Sequence, residues 1–314
     1  MKKNLNIIFF GSSSLSVEVL RALVESGYPI SGVVTQPDKK AGRHLRYQET
    51  PVKNFAESLS LKILTPLSLK DETFKSTLSS TPCDLFIVVA YGLILPAEVL
   101  KIPRLYPINI HASLLPKYRG AAPIQHAIIN GEAQTGISVI RMNEKMDEGD
   151  IISQAKLAID ITDNTISLEK KLASLACREI LETLKLAEKG DVAFSKQDGS
   201  KATYAPKLTK DSGLINWASG AEAIFNQIRA CLPWPVAFTY FKGKRIRIFS
   251  AKITSESNPA AKPGEIIALK DGLITVATGK SSLEIMRLQP ESSKQLESIE
   301  FISGSRLKTG EIFS

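Results

Sequence analysis

Leu5-Asn-Ile-Ile-Phe-Phe-Gly-Ser-Ser-Ser-Leu-Ser-Val-Glu-Val-Leu-Arg-Ala-Leu-Val-Glu-Ser-Gly-Tyr-Pro-Ile-Ser-Gly-Val-Val-Thr35 decides the fold class. An apolar run of strand length stops at Gly11. Leu15, Val19, Leu20, Leu23 and Val24 then recur at helical spacing as far as Gly27, and a second apolar run starts at Ile30. Strand, tight turn, helix and strand make a βαβ beginning, which predicts a Rossmann-like, mostly parallel sheet with helices packed on its faces. The turn carries one glycine and not Gly-x-Gly-x-x-Gly, so a dinucleotide site and a nicotinamide-dependent oxidoreductase are disfavoured.

Working outward, 314 residues of which 43% are hydrophobic and 23% charged suit two domains, each with its own core. The first residues are basic and then apolar, but that run is too short for a secretory h-region. No apolar window approaches the roughly 18 residues that a membrane helix needs. Cys83, Cys177 and Cys231 are an odd number at wide spacing, and three histidines do not complete a metal site around them. The expectation is a cytoplasmic protein with reduced thiols, no metal and no membrane. A net charge of +8 favours an anionic partner.

Candidate chemistry lies in Pro107-Ile-Asn-Ile-His-Ala-Ser-Leu-Leu-Pro-Lys-Tyr-Arg-Gly-Ala-Ala-Pro123. Side chains alternate along a strand, so Ile108 and Ile110 point into a core while Asn109 and His111 share the other face. The apolar run 84–90 reads as a central strand that ends in Tyr91-Gly-Leu-Ile-Leu-Pro96, at the carboxyl edge where such sheets bind ligands. An acidic turn, 143–150, offers Glu144, Asp147, Glu148 and Asp150, equal by spacing. If Asp147 is the neighbour, an amide and an imidazole could hold a carbonyl oxygen as it becomes an oxyanion, at about 2.7–4 kcal/mol per well-placed donor. The carboxylate would orient the imidazole and help move a proton. No serine or cysteine stands in a nucleophile elbow, so this is acyl transfer without a covalent intermediate. The plainer reading is a hydrogen-bonded strand pair beside a solvated turn.

A long amphipathic helix over 165–188 precedes a polar stretch that reads as an interdomain linker. Beyond it come one helix and short strands punctuated by Lys242-Gly-Lys, Lys270-Asp-Gly and Thr278-Gly-Lys turns, which suggest a smaller OB-like β-barrel. The expected division is 1–189, a linker over 190–207, and 208–314. Lys207, Lys210, Arg229, Lys242, Lys244, Arg245, Arg247 and Lys252 face only Asp211 and Glu222 in that interval. With the basic loop around Arg43 they make a track for a phosphate backbone plausible.

Asn109-Ile-His-Ala-Ser-Leu-Leu-Pro-Lys-Tyr-Arg-Gly-Ala-Ala-Pro-Ile-Gln125, followed by Thr135-Gly-Ile-Ser and Met146-Asp-Glu-Gly-Asp150, resembles the signature of the folate-dependent formyltransferases. Thr35-Gln-Pro-Asp-Lys-Lys-Ala-Gly-Arg43, Tyr204-Ala-Pro-Lys-Leu208 and Arg229-Ala-Cys-Leu-Pro-Trp-Pro235 extend the resemblance nearly end to end, toward the members that act on methionyl initiator tRNA. Gly11-Ser-Ser-Ser and Gln289-Pro-Glu-Ser-Ser-Lys-Gln295 depart from the usual Gly-Thr-Pro turn and Gln-Pro-x-Gly-Lys-Lys tail.

The resemblance implies that Asn109, His111 and Asp147 are catalytic. It implies that Ser113, Leu114, Leu115 and Pro116, with Val89, Tyr91 and Leu93, hold 10-formyltetrahydrofolate as formyl donor, with no tightly bound cofactor. Arg43 and Lys207 would contact tRNA, and the protein would be a monomer. Two competitors remain, a formyltransferase for a small amine and a tRNA-binding module without turnover.

Overall fold

The computed structural model of the chain describes residues 4–41, 46–256 and 258–314. It forms two compact units. One takes the chain as far as Pro123, with Gln134–Ala158 and Glu169–Pro206; the other takes Ile124–Ala133, Ile159–Leu168 and Lys207–Ser314.

To Lys189 the elements are β1 (Ile7–Gly11), α1 (Ser14–Glu25), β2 (Ile30–Val34), β3 (Lys39–Ala41), β4 (Arg46–Gln48), α2 (Pro51–Ser58), β5 (Ile63–Leu64), α3 (Glu72–Ser80), β6 (Leu85–Val89), α4 (Ala97–Leu100), β7 (Tyr106–His111), α5 (Pro123–Ile129), β8 (Gln134–Arg141), β9 (Asp150–Ala158) and α6 (Thr165–Lys189). The sheet order is β5-β2-β1-β6-β7-β8-β9. Pairing is parallel from β5 to β7 and antiparallel from β7 to β9, as the βαβ opening predicts for its first part.

Both β1 and β6 are buried at every position, as expected of central strands covered on both faces. The turn between β1 and α1 is tight. A Cβ on Gly11 would stand 2.6 Å from the Cβ of Ser16, so only glycine fits. Ser13 caps α1, and the buried Ser16 hydroxyl donates to the carbonyl of Val89 at 2.6 Å, tying the helix start to the end of β6. Phe10, Phe86 and Tyr91 interlock at centroid distances of 4.9 and 5.5 Å in a core completed by Ile8, Val34, Phe74, Leu78 and Val99.

At the start of β6, the Asp84 carboxylate accepts from the Asn6 backbone N–H at 2.8 Å and from Arg104 Nε at 2.6 Å. Burial alone would raise its pKa, but these donors outweigh that and hold it below the usual carboxylate range.

The stretch expected as a linker belongs largely to the first unit. Ser195 exchanges two backbone hydrogen bonds with Ile151 at 2.7 and 2.8 Å, and Ala205 donates to the Arg119 carbonyl at 2.8 Å. These contacts are made by its backbone, so its side chains keep the polar composition that a linker also has.

The second unit holds α7 (Ala221–Ala230), β10 (Ala237–Phe241), β11 (Lys244–Thr254), β12 (Ile266–Lys270), β13 (Leu273–Ala277), β14 (Ser282–Pro290), β15 (Leu296–Glu297) and α8 (Ser298–Ser305). Its strands are antiparallel in the order β10-β11-β14-β13-β12, with β15 on β14. Residues 310–314 join the two edges. Gly310 donates to Ile266 of β12 at 2.9 Å, and Ser314 exchanges hydrogen bonds with Tyr240 of β10 at 2.8 and 2.9 Å. Both edges are thus covered, which closes the sheet toward a barrel.

Arg229 leaves the expected basic track. It is buried, its guanidinium donates to the carbonyls of Asp163 and Asp160 at 2.9 and 3.3 Å, and burial lowers its pKa. Among the described residues no helix is long and apolar enough to cross a membrane.

Two outcomes follow from this packing. Phe313 is buried between Trp217 and Phe241, at centroid distances of 6.0 and 5.4 Å, so Phe313→Ala should cost the second unit about 3–5 kcal/mol. Both tryptophans, Trp217 and Trp234, lie in that unit, so their fluorescence during urea unfolding reads the loss. Asp84→Asn should cost roughly 1.5–3 kcal/mol at neutral pH, where the charged acceptor is present. A carboxyl with a depressed folded pKa contributes above its unfolded value near ~3.9 and loses that contribution as pH falls through the folded value. The stability gap between Asp84→Asn and the parent should therefore narrow in urea titrations below about pH 4.

Candidate active site

The alternation along β7 holds. Ile108 and Ile110 are buried, and Asn109 and His111 share the opposite face, next to Ile140 and Ser138 of β8 in register. His111 is only 6% exposed. Its Nε2 lies 2.9 Å from the carbonyl of Tyr118, which can only accept, so Nε2 carries a proton and Nδ1 is the nitrogen left for chemistry.

Nδ1 faces Oδ1 of Asp147 at 3.6 Å, and the same oxygen accepts from Asn109 Nδ2 at 3.2 Å. The other carboxylate oxygen accepts from the Gly120 backbone N–H at 2.8 Å. Gly120 has φ +123°, and a Cβ there would stand 2.7 Å from the Ala205 carbonyl oxygen, so this donor requires a glycine. Asp147 itself adopts φ +53°, which turns its side chain toward β7. Of the other acids in the turn, Glu148 pairs with Arg119 at 2.9 Å, Asp150 pairs with Arg141, and Glu144 is exposed. Geometry brings Asp147 to the pair.

The loop after β7 is fastened from beneath. The Ser138 hydroxyl donates to the Ser113 carbonyl at 2.7 Å and accepts from Leu115 N–H at 3.0 Å and from Gln154 Nε2 at 2.8 Å. Gln154 Nε2 also donates to the Leu115 carbonyl at 2.8 Å, and Ser113 Oγ donates to the Lys117 carbonyl at 2.6 Å. Ser113 and Leu115 are buried while Leu114 and Pro116 are partly exposed, so the loop is a rigid ledge with two faces on offer.

Residues 3–184 match the family described as formyl transferase, and residues 207–306 match its C-terminal domain. The chain belongs to the formyl transferase family. Its relatives include proteins named methionyl-tRNA formyltransferase. One from Thermodesulfovibrio yellowstonii is 43% identical over 97% of each chain, and one from Pelotomaculum thermopropionicum is 40% identical over 98% of this chain and 97% of its own. Among solved structures, HypX from Aquifex aeolicus in complex with tetrahydrofolic acid has a TM-score of 0.67 at 18% identity, over 99% of this chain and 50% of that one. An N-formyltransferase from Helicobacter canadensis in complex with folinic acid and dTDP-3-aminofucose has a TM-score of 0.68 at 17% identity, over 94% of this chain and all of that one. At such identities these two show the shared fold.

Within this formyl transferase, the other expected donor-site residues sit less uniformly. Val89 is buried, and so is the Tyr91 ring, whose phenol lies in the core with its pKa pushed up to about 12 by burial. Tyr91 offers its backbone carbonyl to Gln36 Nε2 at 2.5 Å, and Leu93 is 46% exposed. Val89 at the end of β6 and Tyr91 just after it are thus a buried wall, and Leu93 is the exposed one of the three. Lys207 is exposed at the start of the second unit's C-terminal segment, and Arg43 lies outside the described residues.

Sequence reasoning missed Tyr118, Gly120, Ser138 and Gln154, which act through backbone groups or from another strand. The Ser138 clasp is directly testable. Ser138→Ala strips a partner from the Ser113 carbonyl and the Leu115 N–H together, and should lower stability by about 1–3 kcal/mol in urea unfolding.

Proposed function

We propose that this formyl transferase moves the formyl group of 10-formyltetrahydrofolate to the free amino group of methionyl initiator tRNA, giving N-formylmethionyl-tRNA for translation initiation. The observation that carries the chemistry is the convergence of Asn109 Nδ2 and His111 Nδ1 on one oxygen of Asp147. The acceptor is supported by the named relatives, at 40–43% identity over nearly the full length.

The amine attacks the formyl carbon, and the formyl oxygen gains negative charge. Asn109 spends one N–H on Asp147 and has a second to donate to that oxygen. Protonated His111, its Nε2 fixed on Tyr118, donates from Nδ1. Asp147 keeps the imidazole oriented and accepts the proton that the amine loses, directly or through water. As the tetrahedral intermediate collapses, the carbon–nitrogen bond to the folate breaks and the departing nitrogen is reprotonated. The donor lies along the Ser113–Pro116 ledge, with Leu93, Val89 and Tyr91 forming the wall behind it.

In this reading the first unit is the catalytic domain and the second holds tRNA. Lys207 and Arg43 are further tRNA contacts, and the enzyme is a cytoplasmic monomer. The second unit's bases, Lys244, Arg245 and Arg247 on β11 among them, supply the attraction for phosphate.

Incubation with 10-formyltetrahydrofolate and, in parallel, methionyl initiator tRNA, elongator tRNA and a nucleotide-linked amino sugar decides the acceptor. Formylation of the initiator alone is expected, with an apparent tRNA affinity that falls as salt rises. Formylation of no tRNA would falsify the reading. Asn109→Ala should lower kcat about 10²–10³-fold and His111→Ala by about 10²–10⁴-fold.

A further inference from the structure

We infer that Gln197, from the stretch that reads as a linker, is a positioning residue for Asp147 and so for the transfer step; this rests on the function proposed above. Its carboxamide uses all four of its hydrogen-bonding positions. Nε2 donates to the backbone carbonyls of Asp147 and Gly149 at 2.7 and 2.8 Å, and Oε1 accepts from Arg119 Nε and Nη2 at 3.2 and 2.9 Å.

That pattern permits one orientation. Turned over, the amide would aim its oxygen at two carbonyl oxygens and its N–H groups at a guanidinium, losing every contact. Arg119 is equally constrained. It is 5% exposed, its third nitrogen pairs with Glu148 at 2.9 Å, and its backbone is bonded to Thr203 and Ala205 at 2.9 and 2.8 Å.

Asp147 sits in the left-handed region, which a non-glycine residue keeps only where its surroundings hold it. Two braces do so from consecutive residues. Gly120 takes the carboxylate through its N–H, and Arg119, through Gln197, takes the main chain of the same aspartate. Without Gln197 the carbonyls of Asp147 and Gly149 lose the Nε2 donor they share, and Oδ1 is free to drift from His111. A displacement of about 1 Å at such a group costs on the order of 10²-fold in rate.

The test is Gln197→Glu. It keeps the volume and the Arg119 contact but sets a carboxylate against the carbonyls of Asp147 and Gly149. Steady-state kinetics should show kcat lowered about 10–100-fold, with KM for both substrates within about twofold, and a thermal melt should show a folded protein. Arg119→Lys, which keeps the charge opposite Glu148 but lacks the planar fork, should lower kcat in the same sense. The double variant should lose little more than the more impaired single variant, because both act through one network. Unchanged kcat in Gln197→Glu beside an active parent overturns the inference and leaves the proposed function standing. So does a rise in KM alone, or loss of fold in both single variants, since the role is then binding or structural. An inactive parent instead removes the reading on which the inference rests.

Discussion

Everything at the candidate site depends on keeping one carboxylate beside an imidazole and an amide, in a place with little water to stabilise it. The Asp147 side chain meets this by accepting from Asn109 Nδ2 and from Gly120 N–H while it faces His111 Nδ1. Each of these groups is held by backbone pairing. Asn109 and His111 are consecutive outward positions of a strand paired on both sides, and Gly120 is stitched to the segment around Ala205. The sheet serves as a mount, and the change from parallel to antiparallel pairing at β7 matters for that reason. It sets the end of β8 beside the start of β7, Arg141 opposite Ile108, and from there the β8–β9 connection folds back to bring Asp147 against Asn109 and His111.

The two carboxylates nearest in sequence to Asp147 on its C-terminal side are occupied elsewhere. Glu148 neutralises Arg119 and Asp150 pairs with Arg141. An acidic turn thereby presents one carboxylate to the site, and the like-charge repulsion that three free carboxylates would impose is relieved by two arginines.

The local part of this design was legible from residues alone. Alternation along β7 placed Asn109 and His111 on one face, and the Gly11 turn announced the parallel sheet. What was not legible is whatever depends on a partner far along the chain. Nothing in the spacing of Glu144, Asp147, Glu148 and Asp150 singles one out, because the choice is made by a left-handed backbone at Asp147 and by the N–H of Gly120, 27 residues away. Arg229 looks like a surface base, and carbonyls from 66 and 69 residues upstream, with the Asn226 side chain, withdraw it. The stretch 190–207 reads as a linker because a segment that spends its side chains on another segment's backbone has the same polar composition as one that spends them on water.

That last segment also bears on how the enzyme is made. Arg119 and Gln197 are separated by 78 residues, and Gln197 and Asp147 by 50. Loop length does not set these contacts apart, since Ile7 and Leu85 also pair across 78 residues; what does is that Gln197 needs Arg119 already held by Thr203 and Ala205 and a turn already carried by β8 and β9. The sheet can be in place, with β7 paired and Asn109 and His111 already side by side, before the acidic turn is fixed against them. A refolding chain should therefore regain its secondary structure ahead of its catalytic power, and the two recoveries should separate in time.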